Sequence, residues 1–362
     1  MPLPGTPAGR GATWGARRPS VVSAGVRKGT MAPGAPTRAG ACCRAAAAGP
    51  RPLALVTGAS GGIGLETVRG LRRAGCDVVL ACRPGAKADG AFAQLLGEEG
   101  GGTEVYLKDV DMGSLATIEA LGAEMRGEGR AIDVLVNNAG VMATPEMLTA
   151  DGFEYQLGIN HLGHFKLTSE LFELLAADAR IVNVSSTAHE GGRFNAGDPF
   201  FREPGSYAPW TAYGQSKLAN VLFTYELVRR LPAGSQVTAN ALHPGFVATD
   251  LFKFSLPGEG DLAPALRQAG EALVGASGRL LKALPGGLAE LRVKSPAEGA
   301  ETSIHVASSA ECEGVTGKYF VGCKATPSNL RSYDLETAAA LWEFSEQQVG
   351  PFSPALAKAV EA

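Results

Sequence analysis

The sequence of 362 residues lacks several features that would place it in a class directly. It has no run of about 20 apolar residues, the length that crosses a bilayer, so we expect no transmembrane helix. Its net charge of −3 predicts no nucleic-acid partner and no strong attraction to an anionic membrane, although peripheral membrane contact stays open. None of its six cysteines forms a C-x-x-C pair, and no zinc-site spacing is present. We expect buried or incidental thiols, with a regulatory Cys312–Cys323 disulfide as the alternative.

Acidic residues are absent from the first 65 positions, and the first one in the chain is Glu66. Eight basic residues precede it: Arg10, Arg17, Arg18, Arg27, Lys28, Arg38, Arg44 and Arg51. The stretch is rich in glycine, alanine and proline and has no periodicity, so it cannot bury enough apolar surface to offset its ordering entropy. We therefore expect residues 1–50 to be a disordered transit peptide. A plastid address is favoured over a mitochondrial one because proline and glycine break an amphipathic helix; a merely disordered tail is the alternative.

From Pro52 onward, short apolar runs alternate with longer helical patterns. The runs predict buried strands at 53–57, 77–81, 104–107, 132–136, 180–184 and 236–240, with a further strand at 318–321. The helical segments cover 62–74, 86–97, 113–127, 150–176 and 211–231. This alternation predicts an α/β fold in which helices cover both faces of a doubly wound parallel sheet. A single domain would span residues 51–350, followed by a tail at 351–362.

Two insertions interrupt the alternation. Residues 187–210 are loop-like and hold five aromatic side chains, Phe194, Phe200, Phe201, Tyr207 and Trp210. Residues 251–294 mix amphipathic helix with proline and glycine. Both follow strands that end at the carboxyl edge of the sheet, where open α/β sheets bind ligands. They are candidate substrate walls, and closure of a small core is the alternative role for the aromatic residues.

A glycine-rich turn, Thr57-Gly-Ala-Ser-Gly-Gly-Ile-Gly64, joins the first strand to its helix. Glycines there allow a tight turn and let the backbone approach a pyrophosphate, whose charge is met by the helix N-terminus. The spacing of Gly58, Gly62 and Gly64 is G-x-x-x-G-x-G, but Gly61 also permits G-x-x-G-x-x-G. The turn therefore predicts a dinucleotide site without fixing its subclass, and Ser60 and Ile63 belong to the same site.

Tyr213 and Lys217 lie four residues apart in a predicted helix and therefore share one face. A tyrosine with its ordinary pKa of about 10 is a poor proton carrier at neutral pH. A nearby ammonium favours the phenolate, so Lys217 is expected to lower the pKa of Tyr213 toward catalytic use.

These motifs together resemble the single-domain branch of the short-chain dehydrogenase/reductase family, over residues 52–322. Further matches follow in the family's order: Asn137-Asn-Ala-Gly140, Ile159-Asn-His-Leu-Gly-His-Phe165, Val182-Asn-Val-Ser-Ser186 and His243-Pro-Gly-Phe-Val-Ala-Thr249. Within the family, the sequences that follow Asn160 and Lys217 resemble the retinol dehydrogenase and protochlorophyllide reductase-like group. The resemblance implies a Rossmann-type fold and an oxidoreductase.

The resemblance also implies catalytic roles. Tyr213 would be the general acid/base, and Lys217 would bind the nicotinamide ribose. Ser186 would hydrogen-bond the substrate oxygen and stabilise its developing charge, with Ser185 as the alternative. Asn160 would hold a water that connects Lys217 to solvent. His161, His164 and His189 show no spacing for a metal site, so packing and hydrogen bonding are their expected roles.

Further residues are expected to hold the cofactor. The resemblance assigns Asn138, Ala139 and Gly140 to it, and the loop of Pro244, Gly245 and Val247 would cover the nicotinamide, with Thr249 contacting its amide or the phosphates. Asp111 resembles the acid that meets the adenine ring, and Asp109 competes with it.

Cofactor choice depends on the end of the second strand. Where a family member that uses NAD usually has an acid, this chain has Cys82 followed by Arg83. An arginine can bind a 2′-phosphate bidentately, so NADP(H) is expected, with NAD(H) as the alternative. The second basic position of many phosphate-preferring members is Gly61 here, which weakens this preference.

We therefore expect an NADP-dependent oxidoreductase that interconverts a carbonyl and an alcohol on an apolar small molecule. A protochlorophyllide reductase-like activity, a sugar-nucleotide epimerase and an NADP(H)-sensing module at an organelle membrane complex are the alternatives. The motif Asn137-Asn-Ala-Gly140 argues against the epimerase. Formation of a homo-oligomer stays open.

Overall fold

The computed structural model describes residues 50–247 and 294–357. Within these ranges eight strands form one sheet in the order β3-β2-β1-β4-β5-β6-β7-β8. The strands are β1 (Leu53–Thr57), β2 (Asp77–Cys82), β3 (Val105–Asp109), β4 (Ile132–Asn137), β5 (Leu175–Val184), β6 (Thr238–His243), β7 (Tyr319–Val321) and β8 (Lys324–Thr326). Strands β1 to β7 pair in parallel, and β8 runs antiparallel to β7. The doubly wound parallel sheet is confirmed.

Helices cover both faces of this sheet. They are α1 (Gly62–Arg73), α2 (Ala86–Gly97), α3 (Leu115–Glu128), α4 (Tyr155–Leu157), α5 (Gly163–Leu171), α6 (Pro209–Arg230), α7 (Pro296–Ser308), α8 (Leu335–Val349) and α9 (Pro354–Ala357). Helices α1, α2 and α7 pack on one face and α3, α5 and α6 on the other. Strand β1 shows why the apolar run is continuous: Ala54 and Val56 face the first set, Leu53 and Leu55 the second, and all four are fully buried.

The predicted helix over 150–176 is wrong in its continuity. The Glu154 carboxylate accepts hydrogen bonds from the backbone N–H groups of Gln156 (2.9 Å) and Leu157 (2.6 Å) and so starts the short helix α4. A π-helical segment, Gly158–Leu162, leads from α4 into α5, and a 3₁₀ turn, Phe172–Leu174, ends the region. Strand β5 then begins at Leu175, five residues before the predicted Arg180, and leaves no room for the last helical residues.

The packed region extends beyond residue 350 into the predicted tail. Phe352 and Leu356 are buried in the same cluster as Trp342 of α8, and Phe352 lies 5.1 Å from Phe165 between ring centroids. Trp342 anchors α8 against α6, because its ring stacks on Phe223 at 5.9 Å between centroids. Cys312 is buried in the core on the face of the sheet that α1, α2 and α7 cover. Cys323 lies at the β7–β8 turn, and both cysteines are thiols.

Several predictions concern residues outside the described ranges. These are residues 1–49 of the transit peptide predicted over 1–50, the contact of Thr249, and the insertion over 251–294 except for Lys294. Plastid localisation therefore stays a prediction. Among the described helices, none combines the length and the apolar character needed to span a bilayer.

Candidate active site

Helix α6 carries the tyrosine and the lysine at the centre of the site. Every residue of this helix from Ala212 to Leu227 is buried, so neither side chain can move freely. The Lys217 Nζ lies 5.7 Å from the centroid of the Tyr213 ring and donates a hydrogen bond to the Val184 carbonyl at 3.2 Å. The predicted shared face of these two residues is confirmed.

Ser186 meets Tyr213 from the carboxyl end of β5. Its hydroxyl lies close enough to Tyr213 to lower the pKa of the phenol by hydrogen bonding. The same hydroxyl accepts from the backbone N–H of Ala188 at 3.2 Å. The neighbouring hydroxyl of Ser185 donates to the Lys217 carbonyl at 2.7 Å and is buried. Of the two serines, Ser186 is therefore the one that faces the tyrosine, while Ser185 fastens β5 to the helix.

Two glycines allow the turn after Ser186 to approach α6. A Cβ on Gly192 would collide with the carbonyl oxygen of Gly214, and a Cβ on Gly214 would lie only 3.1 Å from the carbonyl oxygen of Ala188. The residue that follows Tyr213 is thus small for a packing reason. This close approach is what brings the serine hydroxyl to the tyrosine.

Asn160 lies in the π-helical segment and joins the loop after β4 to α6. Its Oδ1 accepts from the Val141 N–H at 2.8 Å, while its Nδ2 donates to the Val141 carbonyl and to the Ser216 hydroxyl, both at 2.9 Å. A Cβ on Gly140 would lie 3.1 Å from Asn160 Oδ1 and 3.4 Å from Lys217 Nζ, so Gly140 packs beside both. The water expected between Asn160 and Lys217 stays a prediction.

The electrostatics of Tyr213 differ from the sequence expectation. Burial raises the pKa of Tyr213 to about 12, and the hydrogen bond from Ser186 offsets this only in part. Burial also lowers the pKa of Lys217 to about 8. The predicted lowering of the Tyr213 pKa is therefore wrong, because desolvation of the phenolate outweighs the stabilisation that the surrounding protein groups provide. Tyr213 is a protonated phenol at neutral pH.

The glycine turn forms a tight cradle against the loop after β4. Gly58 has φ +66°, a conformation that favours glycine, and a Cβ on Gly64 would lie 2.5 Å from the Gly58 carbonyl oxygen. The Thr57 hydroxyl accepts from the backbone N–H groups of Asn138 and Ala139, both at 2.9 Å. The predicted cofactor residues of the two loops therefore lie together.

The loop after β6 approaches the same cradle from the other side. Val247 and Ile63 both pack against α7 at Gly299. A Cβ on Gly299 would be 2.6 Å from Val247 Cγ2 and 3.3 Å from Ile63 Cγ1. Lys294 closes this loop, because its Nζ donates to the Pro244 carbonyl at 3.3 Å. Sequence reasoning missed Lys294, whose partner lies 50 residues away across the insertion.

At the end of β2, the Cys82 thiol occupies the position of the missing acid. It is buried, and burial raises its pKa to about 11 although the backbone of Ala59 and Ser60 acts to lower it, so the thiol carries no charge. Asp109 pairs in register with Cys82, whereas the Oδ1 of Asp111 accepts from the Gly113 N–H at 2.9 Å. Both aspartates stay candidates for the predicted contact with the adenine ring.

A lysine side chain reaches the glycine turn from α2. A Cβ on Gly61 would lie 3.1 Å from the Cε and 3.4 Å from the Nζ of Lys87, which comes from the start of α2. Lys87 therefore occupies the space of the basic side chain that position 61 lacks, and Arg83 is exposed nearby in the chain. Sequence reasoning missed Lys87, although its place four residues after Arg83 at a helix start was a usable indication.

Most aromatic residues of 187–210 form a small core. Phe200 stacks on Phe153 at 5.5 Å between centroids, and Phe194 and Phe200 both contact Phe344 of α8. Trp210 differs, because it is 53% exposed and meets the ring of Tyr213 edge-on at 6.0 Å. It is the aromatic residue of this loop best placed to touch a substrate.

Gln156 is a buried residue that sequence reasoning missed. Its Oε1 accepts from the Ala143 N–H at 2.8 Å, and its Nε2 donates to the Tyr207 hydroxyl at 3.0 Å and to the Pro209 carbonyl at 2.8 Å. It thereby fixes the loop after β4 to the start of α6. Nothing in its sequence context indicated this role.

Two histidines near the site, His161 and His164, have structural hydrogen bonds. The Nε2 of His164 lies 2.9 Å from the Thr57 hydroxyl, and its Nδ1 lies 3.0 Å from the Asn160 carbonyl. The Nε2 of His161 lies 2.8 Å from the Ser345 hydroxyl. Within 50–247 and 294–357, no group of three or more histidine, cysteine or acidic side chains could hold a metal ion.

Comparison with known proteins agrees with this geometry. Residues 52–200 match the short chain dehydrogenase family. The chain is 41% identical to Retinol dehydrogenase 14 of Homo sapiens over 311 residues, which cover 82% of this chain and 85% of that protein. A crystal structure of an uncharacterized Mycobacterium paratuberculosis protein superposes with a TM-score of 0.63 at 33% identity, covering 84% of this chain and 95% of that one. A blue fluorescent protein from a metagenomic library, in complex with NADPH, has a TM-score of 0.53 and 25% identity over 74% of this chain and 95% of its own. This chain belongs to the short-chain dehydrogenase family.

Proposed function

We propose that the protein is an NADP(H)-dependent oxidoreductase that interconverts a carbonyl and an alcohol on an apolar small molecule. The observation that carries the proposal is the placement of Lys217 Nζ 5.7 Å from the Tyr213 ring, with Gly140 and Asn160 packed beside the ammonium and Ser186 close enough to influence the phenol. A phenol and a second hydroxyl that meet at one point can both contact a single substrate oxygen.

Tyr213, Ser186 and Lys217 have different roles in proton transfer. A bound nicotinamide supplies or accepts the hydride at the substrate carbon. In the direction of reduction, Tyr213 gives its proton to the carbonyl oxygen while Ser186 donates a hydrogen bond to the same atom. Lys217, whose pKa of about 8 lies near neutrality, can then return a proton toward the phenolate. Because Tyr213 is protonated at neutral pH, the site is prepared for carbonyl reduction.

The cradle fits a dinucleotide, and its charges favour the phosphorylated form. Gly64 lets the start of α1 pack tightly on the turn, because a Cβ there would lie 2.5 Å from the Gly58 carbonyl oxygen. The N-terminus of α1 is thereby placed at the turn, where its N–H groups can meet a pyrophosphate. Lys87 above Gly61 and the exposed Arg83 provide cations at the adenosine end, while the neutral Cys82 thiol offers no carboxylate to a ribose hydroxyl. This arrangement supports NADP(H) over NAD(H).

The surroundings of Tyr213 support an apolar substrate. Met142 and Ala143 pack against its ring, and Trp210 presents an exposed indole beside it. Relatives named retinol dehydrogenases also act, by that name, on an apolar alcohol. For the place of action we propose a plastid, on the composition of residues 1–50.

Purified full-length protein tests the proposal. We expect it to oxidise NADPH in the presence of at least one member of a panel of aliphatic aldehydes, aromatic ketones and retinal, and to oxidise NADH more slowly. The double variant Arg83→Ala/Lys87→Ala should raise the KM for NADPH about tenfold or more, because each lost charged hydrogen bond is worth about 1.5 kcal/mol, and leave the KM for NADH unchanged. An exposed-lysine variant, Lys324→Ala, is the control. Tight NADPH binding without any turnover would favour the sensing module instead.

A further inference from the structure

His189 is a buried imidazole that the proposed proton transfer does not use. It is 1% exposed and lies three residues after Ser186, in the 3₁₀ turn Thr187–Glu190. Its Nδ1 lies 2.7 Å from the Ser186 carbonyl oxygen, and its Nε2 accepts from the backbone N–H of Asn329 at 3.1 Å. The imidazole thus bridges the serine of the site and a loop 140 residues away in the chain.

The two contacts define the position of the ring proton. A backbone N–H can only donate, so Nε2 must be the unprotonated nitrogen. The single proton of the neutral ring is then on Nδ1 and donates to the Ser186 carbonyl. A doubly protonated ring would set two donors against each other at Asn329. The neutral Nδ1–H form is therefore the one that satisfies both partners.

The loop that supplies this N–H is itself fastened to the turn. The Nδ2 of Asn329 and the Nη1 of Arg331 both donate to the Glu190 carbonyl, at 3.3 Å and 3.2 Å. On its other side, the Ser328 hydroxyl lies 2.7 Å from the Tyr225 hydroxyl of α6. The Asn329 N–H is therefore a fixed donor rather than a mobile one.

We propose that His189 is a positioning residue for Ser186. The Asn329 N–H fixes the ring in its Nδ1–H form. The ring Nδ1–H in turn holds the Ser186 carbonyl, so that the Ser186 hydroxyl points at Tyr213. The inference rests on the proposed function, because its consequence is read in the reaction of Tyr213. It adds a dependence of the site on the segment after β8, which supplies the Asn329 N–H.

The titratable neighbours of His189 agree with a neutral ring. Glu190 is exposed on the same turn, Tyr319 packs its ring 4.8 Å from the imidazole with its hydroxyl 3.4 Å from Nδ1, and His243 of β6 lies close enough to affect it electrostatically. Burial lowers the pKa of His189. The ring therefore keeps one proton through the neutral range.

Two variants separate the two hydrogen bonds. The Ser186 carbonyl also accepts from the backbone N–H of residue 189 at 3.0 Å, and both variants keep that bond. In His189→Asn the amide nitrogen can replace Nδ1–H toward Ser186. In His189→Gln the amide oxygen can replace Nε2 toward Asn329, but the side-chain donor to Ser186 is lost. We expect His189→Gln to lower kcat for carbonyl reduction about tenfold, the size of one lost oriented hydrogen bond, and His189→Asn to retain most of it. The Kd for NADPH should stay unchanged in both.

The second pair of variants acts at the far end. Asn329→Pro removes the N–H and is compatible with the backbone, since Asn329 has φ −59°, while the matched control Asn329→Ala keeps the N–H. We expect Asn329→Pro, but not Asn329→Ala, to shift the pH profile of alcohol oxidation upward, because a displaced Ser186 no longer lowers the pKa of Tyr213. Equal kcat values and equal pH profiles within each pair, with only the melting temperatures changed, would reduce His189 to a packing role.

The tautomer is measurable without any turnover. In ¹⁵N-histidine-labelled protein, with the His189 signals assigned by their loss in His189→Asn, two-bond proton–nitrogen correlations should show an Nδ1–H ring. An Nε2–H ring overturns the inference. A wild-type protein that binds NADPH yet reduces no carbonyl overturns the proposed function, and the tautomer then judges the His189 contact by itself.

Discussion

Replacement of Lys217 by methionine should abolish catalysis and, at neutral pH, stabilise the folded protein. The ammonium is buried with a hydrogen bond to the Val184 carbonyl, and burial lowers its pKa from 10.5 to about 8. Lys217 is therefore required for function but lowers the free energy of unfolding.

The sign and size follow from proton linkage. Between about pH 8 and pH 10.5 the unfolded chain still holds the lysine proton that the folded chain has released, so the free energy of unfolding rises with pH by about 1.4 kcal/mol per unit. The difference between the two pKa values, 10.5 and about 8, corresponds to about 3 kcal/mol of lost stability. The folded protein carries this whole penalty below pH 8. Methionine removes this penalty and loses a hydrogen bond worth about 1 kcal/mol. The Val184 carbonyl keeps the Asn220 Nδ2 at 3.1 Å as a donor. The net gain is about 2 kcal/mol at pH 7.

Urea unfolding at pH 7 and at pH 10 measures this effect. We expect Lys217→Met to be more stable than the wild type at pH 7 and the difference to shrink toward pH 10, while the exposed Lys324→Met changes neither value. The difference between variants cancels the titration of all other groups. A Lys217→Met protein that is less stable than the wild type at pH 7 would refute the argument that the ammonium is desolvated.

Three further predictions concern the site. Gly140→Ala should lower kcat about tenfold with the fold retained, because the new methyl group would crowd Asn160 and Lys217; unchanged kinetics with a normal circular dichroism spectrum would count against that contact. Trp210→Ala should raise the KM for apolar carbonyls more than for small polar ones, as steady-state kinetics will show, and equal effects on both would remove Trp210 from the substrate wall. In pH profiles of kcat, alcohol oxidation should rise with pH toward the raised pKa of Tyr213, whereas carbonyl reduction should stay level until the phenol ionises; opposite slopes would contradict the protonated phenol.

The sequence predicted the elements whose pattern is local. Strands β1 and β2 are continuous apolar runs because both of their faces are covered, and their predicted bounds differ from the structure by at most one residue. The facing of Tyr213 and Lys217 follows from helical spacing alone. The glycine turn was likewise predictable, because its conformation and its close contacts demand glycine at fixed positions.

What escaped the sequence depends on distant partners. The break in the helix over 150–176 depends on the Glu154 cap and on the packing of the π-helical segment. Strand β8 is exposed throughout and has no apolar pattern to announce it. The contact of His189 with Asn329 joins residues far apart in the chain, and the pKa of Tyr213 depends on how deeply the fold buries it. These properties arise only when the elements pack.

The central claim is that the Tyr213 phenol transfers the proton to the substrate oxygen. Its most direct test is NADPH-dependent carbonyl reduction by Tyr213→Phe, which keeps the ring and removes the hydroxyl, with the Kd for NADPH measured in the same preparation. We predict that kcat falls by about a hundredfold or more while the Kd for NADPH stays within about a factor of three. Full carbonyl reduction by Tyr213→Phe would contradict the account.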